Sequence, residues 1–220
     1  MEASARPRVK ICCISSLEEA WTAIRLGASA LGLVSEMPSG PGPIKEELIR
    51  EIAARIPPGV ASFLLTSLQD ASLIIEQQRR CKVNTIQIVD RLERGSYREM
   101  REAMPGVSLV QVIHVTGEES LEEARRIAPH VNAVLLDSGN QSLAVKELGG
   151  TGRKHDWTIS RRIREQLDVP VFLAGGLRAD NVREAVETVG PFGLDLCSGV
   201  RTDGRLDEQK LSAFFSELDK

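Results

Sequence analysis

Two residues that can move protons stand directly after short apolar runs typical of buried strands. Cys12 follows residues 9–11, and Asp137 follows residues 134–136. A carboxyl group at the end of such a run can lie in dry surroundings, where it keeps its proton and suits general-acid work. A thiol close to a phosphate site and to helix N-termini can instead lose its proton and act as a base. The structural alternatives are a small core residue at Cys12 and a helix cap or loop carboxylate at Asp137.

Three glycine-rich segments follow predicted strands and indicate an oxyanion site. They contain Gly149, Gly150 and Gly152 after the sixth strand, Gly175 and Gly176 after the seventh, and Ser198 and Gly199 after the eighth. Glycine lets backbone N–H groups approach an oxyanion closely, and a helix N-terminus adds partial positive charge. One such segment is most often a tight turn, but three on the same rim favour phosphate binding. No G-x-G-x-x-G sequence opens a helix after a strand, which excludes a dinucleotide-binding motif.

Other candidate groups are a histidine and the remaining cysteines. His114 ends the fifth predicted strand and is a possible further acid or base on the same rim, with a hydrogen-bonded structural histidine as the alternative. The four cysteines form no C-x-x-C pair and no Cys/His ligand set, so the sequence predicts no metal site. In a reducing compartment we expect all four to be free thiols.

Short apolar runs alternate with amphipathic patterns along the chain. This alternation predicts repeated strand–helix units, which would bring the candidate residues together at one end of a sheet. Strands are predicted over residues 9–13, 30–34, 60–65, 85–89, 107–113, 131–136, 169–174 and 194–197. A first helix follows Ser16 and Glu19, which have capping-box spacing, and others are predicted over residues 45–54, 70–80, 97–103, 119–127, 159–166, 181–189 and 208–218. The strands read as continuous apolar runs, as in a parallel sheet covered by helices. Eight units without a leftover segment predict a single α/β domain over residues 1–220, a (β/α)8 TIM barrel with its working loops at the carboxyl ends of the strands.

The bulk composition excludes several classes of protein. Hydrophobic residues make up 42% of the 220 residues, enough for a sizeable core, so disorder is excluded. A net charge of −3 argues against nucleic-acid binding through a basic patch. No apolar run approaches the roughly 18 residues that span a bilayer, and the N-terminus lacks the apolar core of a signal peptide. We therefore expect a cytoplasmic protein that binds neither membrane nor nucleic acid.

The ordered set of motifs resembles the phosphoribosylanthranilate isomerase family of tryptophan biosynthesis, whose members are ribulose-phosphate-binding barrels. The matching segments, which span nearly the whole chain in order, lie at residues 9–12, 26–32, 135–138, 149–152, 156–157, 174–177, 181–182 and 198–200. The resemblance implies an aldose–ketose isomerase, an intramolecular oxidoreductase that carries out an Amadori rearrangement of N-(5-phosphoribosyl)anthranilate. It implies that Asp137 donates a proton to open the furanose ring and that Cys12 then removes the C2 proton. Gly176, Gly199 and neighbouring amides would hold the phosphate, and the substrate nitrogen would serve as electron sink without a metal or organic cofactor.

The chain departs from the family pattern at four places. Cys13 replaces a glycine after the catalytic cysteine, Asp90 ends a fourth strand that usually reads Gln-Leu-His-Gly, and Arg201 replaces an acidic residue after strand eight. The loop over residues 38–43 lacks the arginine that engages the anthranilate carboxylate in the family. Losing such a clamp removes a charge-assisted interaction of about 1.5–3 kcal/mol, or roughly tenfold to a hundredfold in affinity. Arg201 could supply the missing charge or bind the phosphate, and His114 or Asp90 could also compensate.

Three functional hypotheses remain open from the sequence. The first is an authentic phosphoribosylanthranilate isomerase, and the second is a divergent paralogue that isomerises another phosphorylated sugar amine. The third is a non-catalytic barrel that binds a phosphorylated ligand. Retention of Cys12 and Asp137 speaks against the third, whereas the missing arginine favours the second over the first. The sequence is compatible with a monomer or a homodimer, and the loop over residues 38–43 could act as a lid.

Overall fold

The computed structural model describes residues 6–139, 148 and 155–220, and its main strands close into a barrel. The barrel strands are β1 (Arg8–Ile11), β2 (Ala30–Val34), β3 (Ala61–Thr66), β4 (Thr85–Ile88), β5 (Ser108–His114), β6 (Ala133–Asp137), β7 (Val171–Leu173) and β8 (Gly193–Leu196). All are parallel and pair in chain order, and β8 returns to pair with β1. The predicted (β/α)8 barrel is confirmed.

A helix follows each barrel strand. The helices are α1 (Leu17–Arg25), α2 (Glu46–Ala53), α3 (Ala71–Cys81), α4 (Tyr97–Ala103), α5 (Glu119–Ile127), α6 (Trp157–Gln166), α7 (Val182–Val189) and α8 (Glu208–Leu218). The side chain of Ser16 accepts a hydrogen bond from the Glu19 N–H at 3.1 Å, as the capping box predicts, although the Glu19 carboxylate reaches the N–H of Ser15 and not that of Ser16. Helix α6 begins two residues before its predicted start because Asp156 caps it through the Thr158 N–H. None of the helices in the described residues is long and apolar enough to cross a membrane.

Strand residues alternate between the helices outside and the barrel interior. Residues such as Ile11 and Leu136 belong to the outer core, whereas Phe63, Val110 and Phe172 fill the interior. The Phe63 and Phe172 rings meet edge to face with centroids 6.0 Å apart, so the middle of the barrel is packed. Open space lies at the carboxyl end of this packed interior, where the strands meet the loops.

Two small elements follow β8 and shape the rim. A single 3-10 turn covers Ser198–Val200, and a two-stranded ribbon then pairs β9 (Arg201–Thr202) with β10 (Arg205–Leu206) in antiparallel fashion. The sequence reading placed no strand there, because two-residue strands carry no periodic pattern. The ribbon brings Arg201 under the end of β1, where its guanidinium donates to the carbonyl oxygens of Cys12 and Cys13.

Candidate active site

An open cleft lies at the carboxyl ends of the barrel strands. It brings together six of the predicted site residues, namely Cys12, Asp137, Gly175, Gly176, Ser198 and Gly199. Two others, Gly150 and Gly152, lie outside the described residues. The cleft is also lined by the loop after β2, by Gln87 from β4 and by Asp195 from β8.

Cys12 follows β1 and points into the cleft with 6% of its surface exposed. The pKa of its thiol is lowered, chiefly because the neighbouring Cys13 thiol donates a hydrogen bond to its sulfur; burial opposes this shift, and the positive charge of Lys10 adds to it. A lowered pKa increases the thiolate fraction, which is the form that can accept a proton. These neighbours, which sequence reasoning did not assign, favour the thiolate that a base at this position would need.

Lys10 is fully buried inside the barrel, directly below Cys12. Its Nζ donates to Asp195 Oδ1 at 2.8 Å and lies 5.4 Å from the centroid of the Phe63 ring. Burial alone would lower the pKa of Lys10, but the negative charges of Asp195 and of the Cys12 thiolate raise it above its ordinary value, so the ammonium keeps its proton. A Cβ on Gly32 would stand 2.9 Å from Cys12 Sγ and 3.0 Å from Lys10 Nζ, which places these two atoms within about 6 Å of each other.

Asp137 ends β6 and lies three strands around the ring from β1. It is 7% exposed, lines the cleft, and accepts a hydrogen bond from the Ser138 N–H at 2.7 Å. His155, just before α6, is close enough to interact electrostatically with Asp137, but burial lowers the pKa of its imidazole to about 4. Its Nε2 lies 2.7 Å from Ser160 Oγ. His155 is therefore a neutral neighbour of the acid, and sequence reasoning missed it because no pattern linked it to β6.

His114 and Asp90 do not line the cleft. His114 is paired with Asp137 across β5 and β6, but its Nε2 lies 3.0 Å from the Val89 carbonyl oxygen. Asp90 is buried after β4, and its Oδ1 accepts from the Arg91 N–H at 2.8 Å. Both side chains are engaged by backbone groups at the rim, which favours the structural alternative for His114.

Gln87 is a cleft residue whose part in the site the sequence reading did not assign. Its side chain is 3% exposed, and its Oε1 has no hydrogen-bond partner among the described residues. A buried polar atom without a partner costs free energy unless a ligand or water supplies one. Because Gln87 also lines the cleft, its amide is positioned to meet a polar group of a bound molecule.

The two glycine-rich loops after β7 and β8 form one continuous wall. Gly175 and Gly176 have φ values of 87° and 65°, a conformation that favours glycine. Asn181 ties this loop together: its Nδ2 donates to the Gly176 carbonyl at 2.9 Å, and its Oδ1 accepts from the Arg178 N–H at 2.8 Å. Gly199 packs against it so closely that a Cβ there would stand 1.9 Å from the Leu177 carbonyl oxygen.

Replacing Gly199 with alanine is expected to disrupt this wall. The clash is with backbone, which cannot turn away, so the free energy of unfolding should fall by about 1–3 kcal/mol and affinity for a phosphorylated ligand should fall with it. Urea unfolding and calorimetric titration would measure the two effects. Gly204→Ala is the matched control, because it strains a φ of 78° in open space outside the wall. It should lower the free energy of unfolding without lowering the affinity for the phosphorylated ligand. Equal ligand affinity in the two variants would contradict this account of the wall.

Arg201 was predicted to contact substrate or phosphate, and the structure places it elsewhere. Its guanidinium is buried under the end of β1, where it donates to both carboxylate oxygens of Glu19 at 3.1 Å and to the carbonyl oxygens of Cys12, Cys13 and Gly204. It does not line the cleft. The expectation is corrected, because Glu19 and the three carbonyl groups hold Nη1 and Nη2 away from the cleft, while the buried Nε has no hydrogen-bond partner among the described residues.

The Glu19–Arg201 pair gives a pH-dependent contribution to stability. Burial alone would raise the pKa of Glu19, but hydrogen bonds from Arg201 and from the N–H groups of Leu206 and Ser15 lower it below the ordinary value of 4.5. When the pKa of a carboxyl group is lower in the folded state than in the unfolded state, the ionised carboxylate stabilises the fold. This stabilisation is fully present above the unfolded pKa and is lost as the pH falls through the folded pKa. The gap in unfolding free energy between wild type and Glu19→Gln should therefore be widest near neutral pH and narrow below pH 4.5. A urea series from pH 7 to pH 3 checks this, and a gap independent of pH would contradict it.

The loop after β2 covers one side of Cys13. Ser39, Gly40 and Pro41 line the cleft, and the Pro41 carbonyl oxygen lies 3.5 Å from Cys13 Sγ. Among the described residues that line the cleft, the charged ones are Asp137 and Asp195, and none is basic. The described lining therefore offers no guanidinium for a ligand carboxylate.

Fold and site together define a (β/α)8 barrel enzyme of the phosphate-binding type, with an acid and a thiol on its catalytic rim. The family model of N-(5'-phosphoribosyl)anthranilate isomerase matches residues 9–217. The N-(5'-phosphoribosyl)anthranilate isomerase of Methanosarcina acetivorans is 32% identical over an alignment of 227 residues, which covers 97% of this chain and 93% of the relative. The chain belongs to the phosphoribosylanthranilate isomerase family.

Solved structures of that family share the fold. The phosphoribosylanthranilate isomerase of Thermotoga maritima superposes with a TM-score of 0.79 at 27% identity, covering 97% of this chain and 98% of the other. A phosphoribosylanthranilate isomerase in complex with reduced 1-(o-carboxyphenylamino)-1-deoxyribulose 5-phosphate gives a TM-score of 0.76 at 26% identity, with the same coverage. These similarities agree with the family that the sequence motifs indicated.

Proposed function

We propose that this chain converts N-(5'-phosphoribosyl)anthranilate into the 1-amino-1-deoxyribulose 5-phosphate, an Amadori rearrangement in tryptophan biosynthesis. The observation that carries the proposal is one cleft that holds both a thiol of lowered pKa, Cys12, and a buried carboxyl group, Asp137. An acid and a base on separate strands can act on two positions of one sugar. We take N-(5'-phosphoribosyl)anthranilate as the substrate because the chain belongs to the family that is named for it.

In the proposed reaction Asp137 acts first as the acid and Cys12 then acts as the base. Asp137 gives its proton to the ring oxygen as the C1–O bond breaks, and the nitrogen lone pair forms a C1=N iminium. The Cys12 thiolate then takes the C2 proton, and the electrons of the C2–H bond form C1=C2 while the iminium electrons return to nitrogen. C1 of the resulting enol then accepts a proton from the Cys12 thiol, and the C2 hydroxyl gives up its proton as the C2 ketone forms. That proton returns to the Asp137 carboxylate through solvent, which restores both residues to their starting states. Because the substrate nitrogen receives the electrons, the acid and the base suffice.

The remaining parts of the substrate are assigned by their chemistry. The backbone of Gly175, Gly176, Ser198 and Gly199 would hold the phosphate, as barrels commonly do after strands seven and eight. Gly150 and Gly152 stay a prediction for the same group. Gln87 would meet a sugar hydroxyl, and the apolar side chains at the cleft margin, Val34, Met37, Leu65 and Leu148, would contact the aromatic ring. We place the enzyme in the cytoplasm, as a monomer or homodimer.

Complementation tests the proposed function. A bacterial strain that lacks its own phosphoribosylanthranilate isomerase would be given this chain, with the Methanosarcina acetivorans relative as positive control. Growth without tryptophan supports the proposal. No growth despite soluble protein, with growth restored by added tryptophan, would overturn it and leave the paralogue or the non-catalytic barrel.

A further inference from the structure

Two thiols meet at the mouth of the cleft. Cys13 Sγ and Cys197 Sγ lie 2.6 Å apart, although 184 positions separate them in the chain. They follow β1 and β8, which are hydrogen-bonded neighbours with Ile11 opposite Leu196. By this register Cys197 lies opposite Cys12, and Cys13 lies one residue further along. A strand spacing of about 4.8 Å combined with a rise of about 3.3 Å per residue gives a Cα separation of roughly 6 Å, within the roughly 4.4–6.8 Å that a disulfide spans.

The backbone of Cys13 is fixed in the conformation that turns its thiol toward Cys197. Strand alternation would send the side chain after Cys12 outward, but Cys13 has a φ of 62° and lines the cleft. The buried Arg201 guanidinium donates to the carbonyl oxygens of Cys12 and Cys13 and so stabilises this turn. The approach of the thiols is therefore built into the end of β1.

The pair is reachable from solvent. Cys197 is partly exposed, whereas Cys12, Cys13 and Cys81 are buried, and both members of the pair line the open cleft. The most open thiol at the mouth thus has a buried second thiol within reach, the arrangement in which a mixed disulfide is resolved internally.

We propose that Cys13 and Cys197 form a reversible disulfide with small disulfide oxidants such as oxidised glutathione. Cys197 loses its proton, and its sulfur attacks one sulfur of the oxidant, which releases one glutathione thiolate. Cys13 then loses its proton and attacks the Cys197 sulfur of the mixed disulfide, which releases the second glutathione. Two protein thiols are oxidised, and one oxidised glutathione is reduced to two molecules of glutathione.

The disulfide would also act on Cys12. Cys13 is the hydrogen-bond donor that contributes most to the lowered pKa of Cys12, and a sulfur in a disulfide has no proton to donate. The pKa of the Cys12 thiol would therefore rise, and less of the thiolate would be present at neutral pH. We expect oxidation to remove most of the turnover and dithiothreitol to restore it, an effect that rests on the proposed function.

Thiol counting and peptide mapping test the disulfide without any assay of activity. Folded wild-type protein would be incubated with oxidised glutathione, and its free thiols should fall from the four of the sequence to two. After alkylation, trypsin cleaves at Lys10, Arg25, Arg183 and Arg201, so the two cysteines lie in separate peptides, residues 11–25 and 184–201. These two peptides should be recovered joined, and reduction should separate them.

Single variants assign the bond within the joined peptides, because residues 11–25 contain both Cys12 and Cys13. Cys13→Ser and Cys197→Ser should abolish the joined peptide, whereas Cys12→Ser and the remote Cys81→Ser should retain it. Four free thiols in oxidised wild type, or a joined peptide that survives Cys13→Ser, would overturn the proposal. A disulfide that forms in a protein without turnover would leave it standing and contradict only the proposed function.

Discussion

Cys12→Ser is expected to lower kcat/KM for N-(5'-phosphoribosyl)anthranilate by about 10²- to 10⁴-fold, the range that a general base contributes. Serine is close to cysteine in size and shape, but its hydroxyl holds its proton at neutral pH. The Lys10 ammonium and the Cys13 thiol, which favour the thiolate, cannot bring a hydroxyl into the ionised form. Steady-state rates from the loss of substrate fluorescence measure the effect.

Cys81→Ser is the matched control for that substitution. Cys81 is a buried thiol at the end of α3 and does not line the cleft. It should leave kcat/KM within a few-fold of wild type. A Cys12→Ser protein that kept a tenth or more of the wild-type kcat/KM would rule out Cys12 as the base.

Asp137→Asn is expected to reduce kcat/KM by a similar factor, about 10²- to 10⁴-fold, because the amide has no acidic proton for the ring oxygen. The change keeps the shape of the side chain, and the amide oxygen can still accept the hydrogen bond that the Ser138 N–H gives to the carboxylate. The fold should therefore persist, and a product analogue should still bind. The same fluorescence assay measures the rate, and calorimetric titration measures the binding.

Asp90→Asn is the control for the acid. Asp90 and Asp137 both follow barrel strands, are buried, and accept a hydrogen bond from the N–H of the next residue. Only Asp137 lines the cleft. If the two asparagine variants lost activity equally, the loss would reflect damage to the rim, and Asp137 would not be the acid.

The sequence predicts the barrel well because its strands are continuous apolar runs bounded by helix caps. The ends of those runs also locate Cys12 and Asp137, since the carboxyl ends of parallel strands share one rim. The first strand shows where this reasoning stops. It was predicted to continue to Cys13 but ends at Ile11, because Cys13 takes a left-handed φ that no apolar pattern reveals.

Residues whose role depends on distant partners were not predictable. From the sequence, Arg201 was expected to place its positive charge at the cleft. Its carboxylate partner, Glu19, lies 182 positions away and is one of several charged residues in α1, so no sequence pattern joins the two. The contact between Cys13 and Cys197 likewise depends on strand register. Gln87 was visible in the sequence, but only the structure shows that it lines the cleft and that its amide oxygen has no hydrogen-bond partner in the described part of the chain.

Two of the residues at which the chain departs from the family pattern, Cys13 and Arg201, are in direct contact. Cys13 stands where the family has glycine, and Arg201 stands where it has an acid. In the structure the Arg201 guanidinium donates to the Cys13 carbonyl oxygen and thereby supports a backbone conformation that glycine would adopt more readily. With this contact in place, Cys12 and Asp137 both line the cleft.

The most direct test of the account is the turnover of freshly generated N-(5'-phosphoribosyl)anthranilate by the purified wild-type protein. The account predicts a catalytic loss of substrate fluorescence that is nearly abolished in both Cys12→Ser and Asp137→Asn. Stable fluorescence with wild-type protein, while a phosphorylated product analogue still binds, would contradict it.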